Sequence, residues 1–100
     1  RERHKNVIKR IFGIMQIEFT PEAKDDFDYW VKTGNKAILN KIGQLIKSIE
    51  ENPFVGAGKP EPLKHNLSGK WSRRINLEHR LVYKFERNTL FLYSLKGHYD

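Results

Sequence analysis

Between Met15 and Phe19 the chain alternates apolar and polar residues, the period of a strand with one buried face. Thr20-Pro21 then opens a helix, threonine as N-cap and proline at the first helical position, where its missing N–H is not needed. Glu22, Asp25 and Asp26 complement the positive end of that helix. Ala23, Phe27, Trp30 and Val31 recur at helical spacing and are expected to form its buried stripe, with Gly34 ending it. A second helix follows directly, with Ile38, Ile42, Leu45, Ile46 and Ile49 on one face, and Asn52-Pro53 stops it. Two helices joined by so short a turn form an antiparallel hairpin.

After Pro53 the period changes. Gly56, Gly58, Pro60 and Pro62 punctuate an irregular stretch, and Asn66–Gly69 reads as a turn. Three strand-like runs follow, Trp71–Asn76, His79–Phe85 and Leu90–Lys96, with separators short enough for an antiparallel meander. Trp71 and Ile75 share one face, as do Leu81, Tyr83 and Phe85, and these faces are expected to pack on the helices. The other face then displays Ser72, Arg74, Arg80 and Val82 and is expected to be partly open. The fold class is α+β: an antiparallel β-sheet with an N-terminal helical hairpin packed on one face. One domain is expected over residues 15–100. Residues 1–14 read as an N-terminal extension: a leader, an appended segment or an extra helix.

Charge sharpens this picture. The chain has 100 residues and a formal net charge of +7. Residues 15–51 hold five basic side chains against seven acidic, whereas residues 52–100 hold nine against four. A basic, structured C-terminal half suits a polyanion, nucleic acid before membrane. No apolar run approaches the roughly 18 residues of a membrane span, and no secretory leader is visible. There are no cysteines, which excludes disulfides, thiolate metal sites and a cysteine nucleophile, and a cytoplasmic setting is expected.

Of the chemistries a small basic domain could host, most lack their residues. His4, His65, His79 and His98 show no metal-ligand spacing, so no metal and no cofactor are expected. No serine stands in a nucleophile setting, and Gly56–Lys59 lacks the spacing of a phosphate loop. What remains suits metal-free RNA cleavage, in which the 2′-hydroxyl attacks the adjacent phosphorus. That reaction needs a base, an acid and a cation, and Glu61, His98 and Arg80 are candidates.

The run from Asn52 to Phe85, NPFVGAGKPEPLKHNLSGKWSRRINLEHRLVYKF, closely resembles the Txe/YoeB family of bacterial toxins within the RelE-like superfamily. A weaker match extends from Met15 to Tyr99, 85 residues, and includes Asp28-Tyr29-Trp30 and the His98-Tyr99 pair. The resemblance implies a fold similar to microbial ribonucleases and cleavage of messenger RNA in the ribosomal A site. It implies that Glu61 is the general base, Arg80 stabilises the phosphate and His98 is the general acid. It also implies phosphate contacts from Lys64, His65 and Arg74, a Tyr99 that helps hold the RNA or the acid, and a YefM-like antitoxin as partner, and it leaves a homodimer open. The sequence departs from the family pattern in residues 1–14, in Gly97 before the histidine, and in running on to Asp100. Two other readings stand beside this one: a non-catalytic toxin resembling the ParE branch, and a basic RNA- or ribosome-binding module.

Overall fold

The computed structural model describes residues 15–98; the expectations for residues 1–14, Tyr99 and Asp100 lie outside them. Along the chain run β1 (Gln16–Phe19), α1 (Pro21–Lys32), α2 (Lys36–Glu51), β2 (Glu61–Pro62), one 3-10 turn (His65–Leu67), β3 (Trp71–Arg74), β4 (Arg80–Glu86) and β5 (Thr89–Ser94). The architecture is the expected α+β one, helices on a mostly antiparallel sheet.

Both helices start on side-chain caps. The Thr20 hydroxyl accepts the Ala23 N–H at 3.1 Å, and the Asn35 side chain accepts the Ile38 N–H at 3.1 Å. Along α2 the expected stripe is buried at Ile38, Ile42, Leu45 and Ile49, with Ile46 packed against it. Along α1 the buried positions are Ala23, Asp26 and Trp30, with Phe27 half-buried. Val31, expected in this stripe, is 52% exposed, because it lies about 100° round the helix from Trp30. Asp26 also departs from expectation. Instead of standing at the helix end it turns inward, and its carboxylate accepts the Leu95 N–H at 2.9 Å.

The sheet has five strands in the order β1-β5-β4-β3-β2. β1 runs parallel to β5, pairing Gln16 with Thr89 and Phe19 with Leu92, which corrects the wholly antiparallel expectation. A parallel pair requires a long crossover, and everything from α1 to β4 serves as one. Ile17 and Phe19 are 42% and 41% exposed, so this edge strand lacks the buried face its alternation implied. β2, not foreseen, is two residues long and includes Pro62, tolerated because an edge strand needs no outward N–H. Arg87 and Asn88, with φ of 52° and 58°, form the tight left-handed turn between β4 and β5.

A bulge decides the last strand. Val82 pairs with Ser94 but its neighbour Tyr83 pairs with Leu92, so Tyr93 is the extra residue. The shift lets Leu90, Leu92 and Leu95 all enter the core between sheet and helices while Ser94 takes the opposite face. That opposite face is less open than expected. Ser72, Val82 and Ser94 are buried at its centre, beside a cavity of about 260 Å³ whose lining includes Leu67, Lys70 and the start of α1.

Candidate active site

Strand register assembles the site. Glu61 opens β2 opposite Ser72, and Ser72 lies opposite Val82. Residues directly opposite in adjacent strands share a face, so these three make one row across the sheet. Arg74, two residues beyond Ser72, faces the same way and lies directly opposite Arg80. Glu61, Arg74 and Arg80 therefore share the face away from the helices. His98 reaches this end of the sheet by another route. The Arg80 N–H donates to the Gly97 carbonyl at 2.8 Å, so the tail runs beside the start of β4.

Two arginines opposite one another are an unfavourable pair, of order 0.2–1 kcal/mol when uncompensated. Among the described residues no salt bridge relieves them. Arg80 is only 8% exposed, and its guanidinium is held by carbonyls of the β3–β4 turn: Nη1 donates to Asn76 at 2.9 Å and, at longer range, to His79 at 3.3 Å. A buried cation anchored by neutral oxygens and facing a second cation suits an anion. Arg74 is half-buried, whereas Glu61, Lys64, His65 and His98 are exposed. Lys59 and His65, on either side of β2, have φ of 51° and 58°, a left-handed backbone that costs residues with a Cβ about 1–3 kcal/mol each. Such strain persists only where the surroundings over-determine it.

Arg73, for which the sequence suggests no role, holds the loop that leads into Lys59. It is fully buried and uses all five of its N–H donors. Nε donates to the Tyr83 hydroxyl (3.1 Å); Nη1 to Ser48 Oγ (2.7 Å) and the Ala57 carbonyl (3.1 Å); Nη2 to the carbonyls of Asn52 (2.7 Å) and Val55 (3.1 Å). The Tyr83 hydroxyl in turn donates to the Pro53 carbonyl at 2.6 Å. Burial pushes the Tyr83 phenol above its ordinary 10.0, and the neighbouring Arg73 opposes the rise. The loop that delivers Glu61 is thus wrapped around one guanidinium. Strand parity contained the signal, since Arg73 lies between Trp71 and Ile75 on their helix-facing side.

Gly58 closes the same loop. Its carbonyl accepts the Arg74 N–H at 2.6 Å, its φ is 82°, and a Cβ there would stand 2.7 Å from Leu45 Cδ2 and 3.1 Å from the Arg74 carbonyl oxygen. Only glycine fits.

The tail is fixed from the other side. Asp26 takes the Leu95 N–H, and Trp30 Nε1 donates to the Leu95 carbonyl at 2.9 Å. Asp26 and Trp30 lie four apart on α1, a spacing that places them on one helix face, although nothing in the sequence told which backbone they would hold. Of the residues singled out from the sequence, the structure brings Glu61, Arg74 and Arg80 to one face and carries His98 to the same end of the sheet. Lys64 and His65 follow β2 on the adjoining segment, and Tyr99 lies outside the described residues. Among the described residues, no three His, Asp or Glu side chains are grouped to hold a metal ion.

Residues 19–99 match the family model of the YoeB-like toxin of bacterial type II toxin-antitoxin systems. Toxin YoeB of Escherichia coli K12 is 51% identical over 85 residues, which is 85% of this chain and all of that protein. Two Staphylococcus aureus structures superpose with TM-scores of 0.78: a YoeB dimer, 46% identical over 85% of this chain and 98% of that one, and a YoeB–YefM complex, 47% identical over 86% and 99%. Fold, motif and relatives agree, and the chain belongs to the YoeB-like toxins of bacterial type II toxin-antitoxin systems.

Proposed function

We propose that this toxin is a ribosome-dependent endoribonuclease that cuts messenger RNA in the A site without a metal ion. The observation that carries the reading is the shared face of Glu61, Arg74 and Arg80, with the His98 tail hydrogen-bonded alongside Arg80. Glu61 takes the proton from the RNA 2′-hydroxyl as its oxygen bonds to the adjacent phosphorus. Arg80 stabilises the negative charge of the crowded phosphorane, its guanidinium held beforehand by the turn carbonyls. His98 gives a proton to the 5′-oxygen as the P–O5′ bond breaks. The products are a 2′,3′-cyclic phosphate and a 5′-hydroxyl. Lys64, His65 and Arg74 contact flanking phosphates, and Tyr99 holds the RNA strand. No residue in this scheme requires a cofactor.

A YefM-like antitoxin is the inhibitory partner, by analogy with the staphylococcal YoeB–YefM complex, and a homodimer has a counterpart in the staphylococcal YoeB dimer. An exposed cationic site is matched by an acidic segment that also buries apolar surface. The setting follows from the substrate, since ribosomes are cytoplasmic, and among the described residues no helix is long and apolar enough to cross a membrane. The test is cleavage of messenger RNA on programmed ribosomes in the presence of a chelator. Cyclic-phosphate and 5′-hydroxyl ends are expected. Ends bearing 5′-phosphate would overturn the mechanism. Absence of cutting would leave the non-catalytic alternatives, a ParE-like toxin or a ribosome-binding module.

A further inference from the structure

We propose that His79 is a positioning residue that sets the placement of His98 through the backbone of Gly97; the inference rests on the nuclease reading above. Beyond Ser94 the chain leaves the sheet ladder, and among the described residues the backbones of Leu95 and Gly97 are held at four points. Leu95 is held by α1 at its N–H, through Asp26, and at its carbonyl, through Trp30. Gly97 is held at its carbonyl by the Arg80 N–H, and at its N–H by Nδ1 of His79 at 3.0 Å. Three of the four anchors act from a helix carboxylate, an indole or a strand amide. The fourth is an imidazole nitrogen one residue from the candidate acid.

The ring is itself well fixed. Its edge meets Trp30 with centroids 4.9 Å apart at 73°. The backbone of His79 is pinned as well: its amide N–H donates to Asn76 Oδ1 at 2.8 Å, and its carbonyl accepts the Ile75 N–H at 2.9 Å. Because Nδ1 accepts, the ring proton sits on Nε2, which faces Glu78 Oε1 at 4.0 Å. Nδ1 is therefore committed to the tail, and His79 does not reach the substrate through it.

Gly97 is where such an anchor has most effect. Its φ is 94°, and among the described residues nothing beyond its chain neighbours lies within 4 Å of where a Cβ would stand, so no side chain packs on that side of it. Once its N–H is released, the peptide before Gly97 is restrained only by the Leu95 anchors on one side and the Gly97 carbonyl on the other, and the placement of His98 loosens. Misplacing a reacting group by about 1 Å costs on the order of 10²-fold in rate.

The experiment compares His79→Leu, His79→Gln and His79→Asn in single-turnover cleavage on programmed ribosomes, each first shown to be folded by circular dichroism. Asparagine carries an acceptor oxygen close to the Nδ1 position, whereas glutamine carries it one bond further out. His79→Leu and His79→Gln are expected to lose roughly 10–100-fold in maximal rate with the half-saturating ribosome concentration unchanged. His79→Asn is expected to keep the rate within about threefold of the parent, on the same reasoning. Hydrogen exchange at the Gly97 amide is measured in the same proteins without ribosomes, and should accelerate in the leucine and glutamine variants only. Leucine or glutamine variants at the parental rate would overturn the proposal, as would asparagine failing alongside glutamine. A change confined to half-saturation would also overturn it, by making His79 a docking residue. Should the parent protein cut nothing, the nuclease reading fails, and unaltered Gly97 exchange in His79→Gln would separately remove the anchor.

Discussion

Replacing Arg73 by lysine should harm this protein more than replacing it by methionine, although lysine keeps the charge. The guanidinium is fully buried and satisfies Tyr83, Ser48 and three loop carbonyls with its five donors, all of them neutral partners. At roughly 1 kcal/mol per hydrogen bond, a net figure that already includes desolvation, the network contributes about 5 kcal/mol. Methionine forfeits the bonds but also removes the buried charge, and it returns about 1.5–3 kcal/mol of apolar burial. The freed carbonyls of Asn52, Val55 and Ala57 belong to exposed residues, so water can reach them once the loop loosens. A loss of about 2 kcal/mol follows for Arg73→Met. Lysine keeps the desolvation cost, and its single nitrogen cannot span acceptors arranged around a planar fork, so about 3–5 kcal/mol is expected, the range for a broken buried charge network. In a domain of this size each kcal/mol moves the melting temperature by about 4–8 °C. Urea denaturation followed by circular dichroism measures both losses. Arg73→Lys lying within 1 kcal/mol of the parent, or above Arg73→Met in stability, would refute the reasoning.

Glu61→Gln and His98→Gln should each slow single-turnover cleavage by roughly 10²–10⁴-fold, and rates within threefold of the parent would remove those roles. Arg80→Ala should be at least as damaging to the bound rate; weaker ribosome binding with that rate intact would make Arg80 a docking residue. Lys64→Ala and Arg74→Ala should weaken ribosome association and flatten its dependence on salt, read from binding titrations over a range of ionic strength. The raised Tyr83 phenol favours the protonated form in the folded state, so its contribution is complete below pH 10.0 and is lost as pH rises through the folded-state value. Absorbance titration of the parent against Tyr83→Phe should assign to Tyr83 a phenol ionising later than an unperturbed one, together with unfolding; ionisation at the ordinary pH with the fold intact would contradict this.

Local chemistry was legible in the sequence. Thr20-Pro21 specifies a helix start through a hydrogen bond closed within three residues. The α2 stripe follows from the helical period alone. The shared sheet face of Arg74 and Arg80 follows from strand parity, and the structure adds that they stand directly opposite. The motif around Glu61 carried the family. What the tertiary structure decided were relations between parts of the chain that share no period. Asp26 reads as a helix-end carboxylate until Leu95, 69 residues on, supplies an N–H for it. Val31 reads as apolar and buried until the sheet takes a narrower stripe of α1 and leaves it in solvent. β2 is too short to have a period and exists because β3 offers it an edge. The bulge at Tyr93 reverses the parity of everything after it, which puts Leu95 inside and brings Gly97 to Arg80 and His79. Propensity and patterning act over a few residues, whereas a buried donor or acceptor takes whatever partner the folded chain brings to it, and that choice appears only once the packing exists.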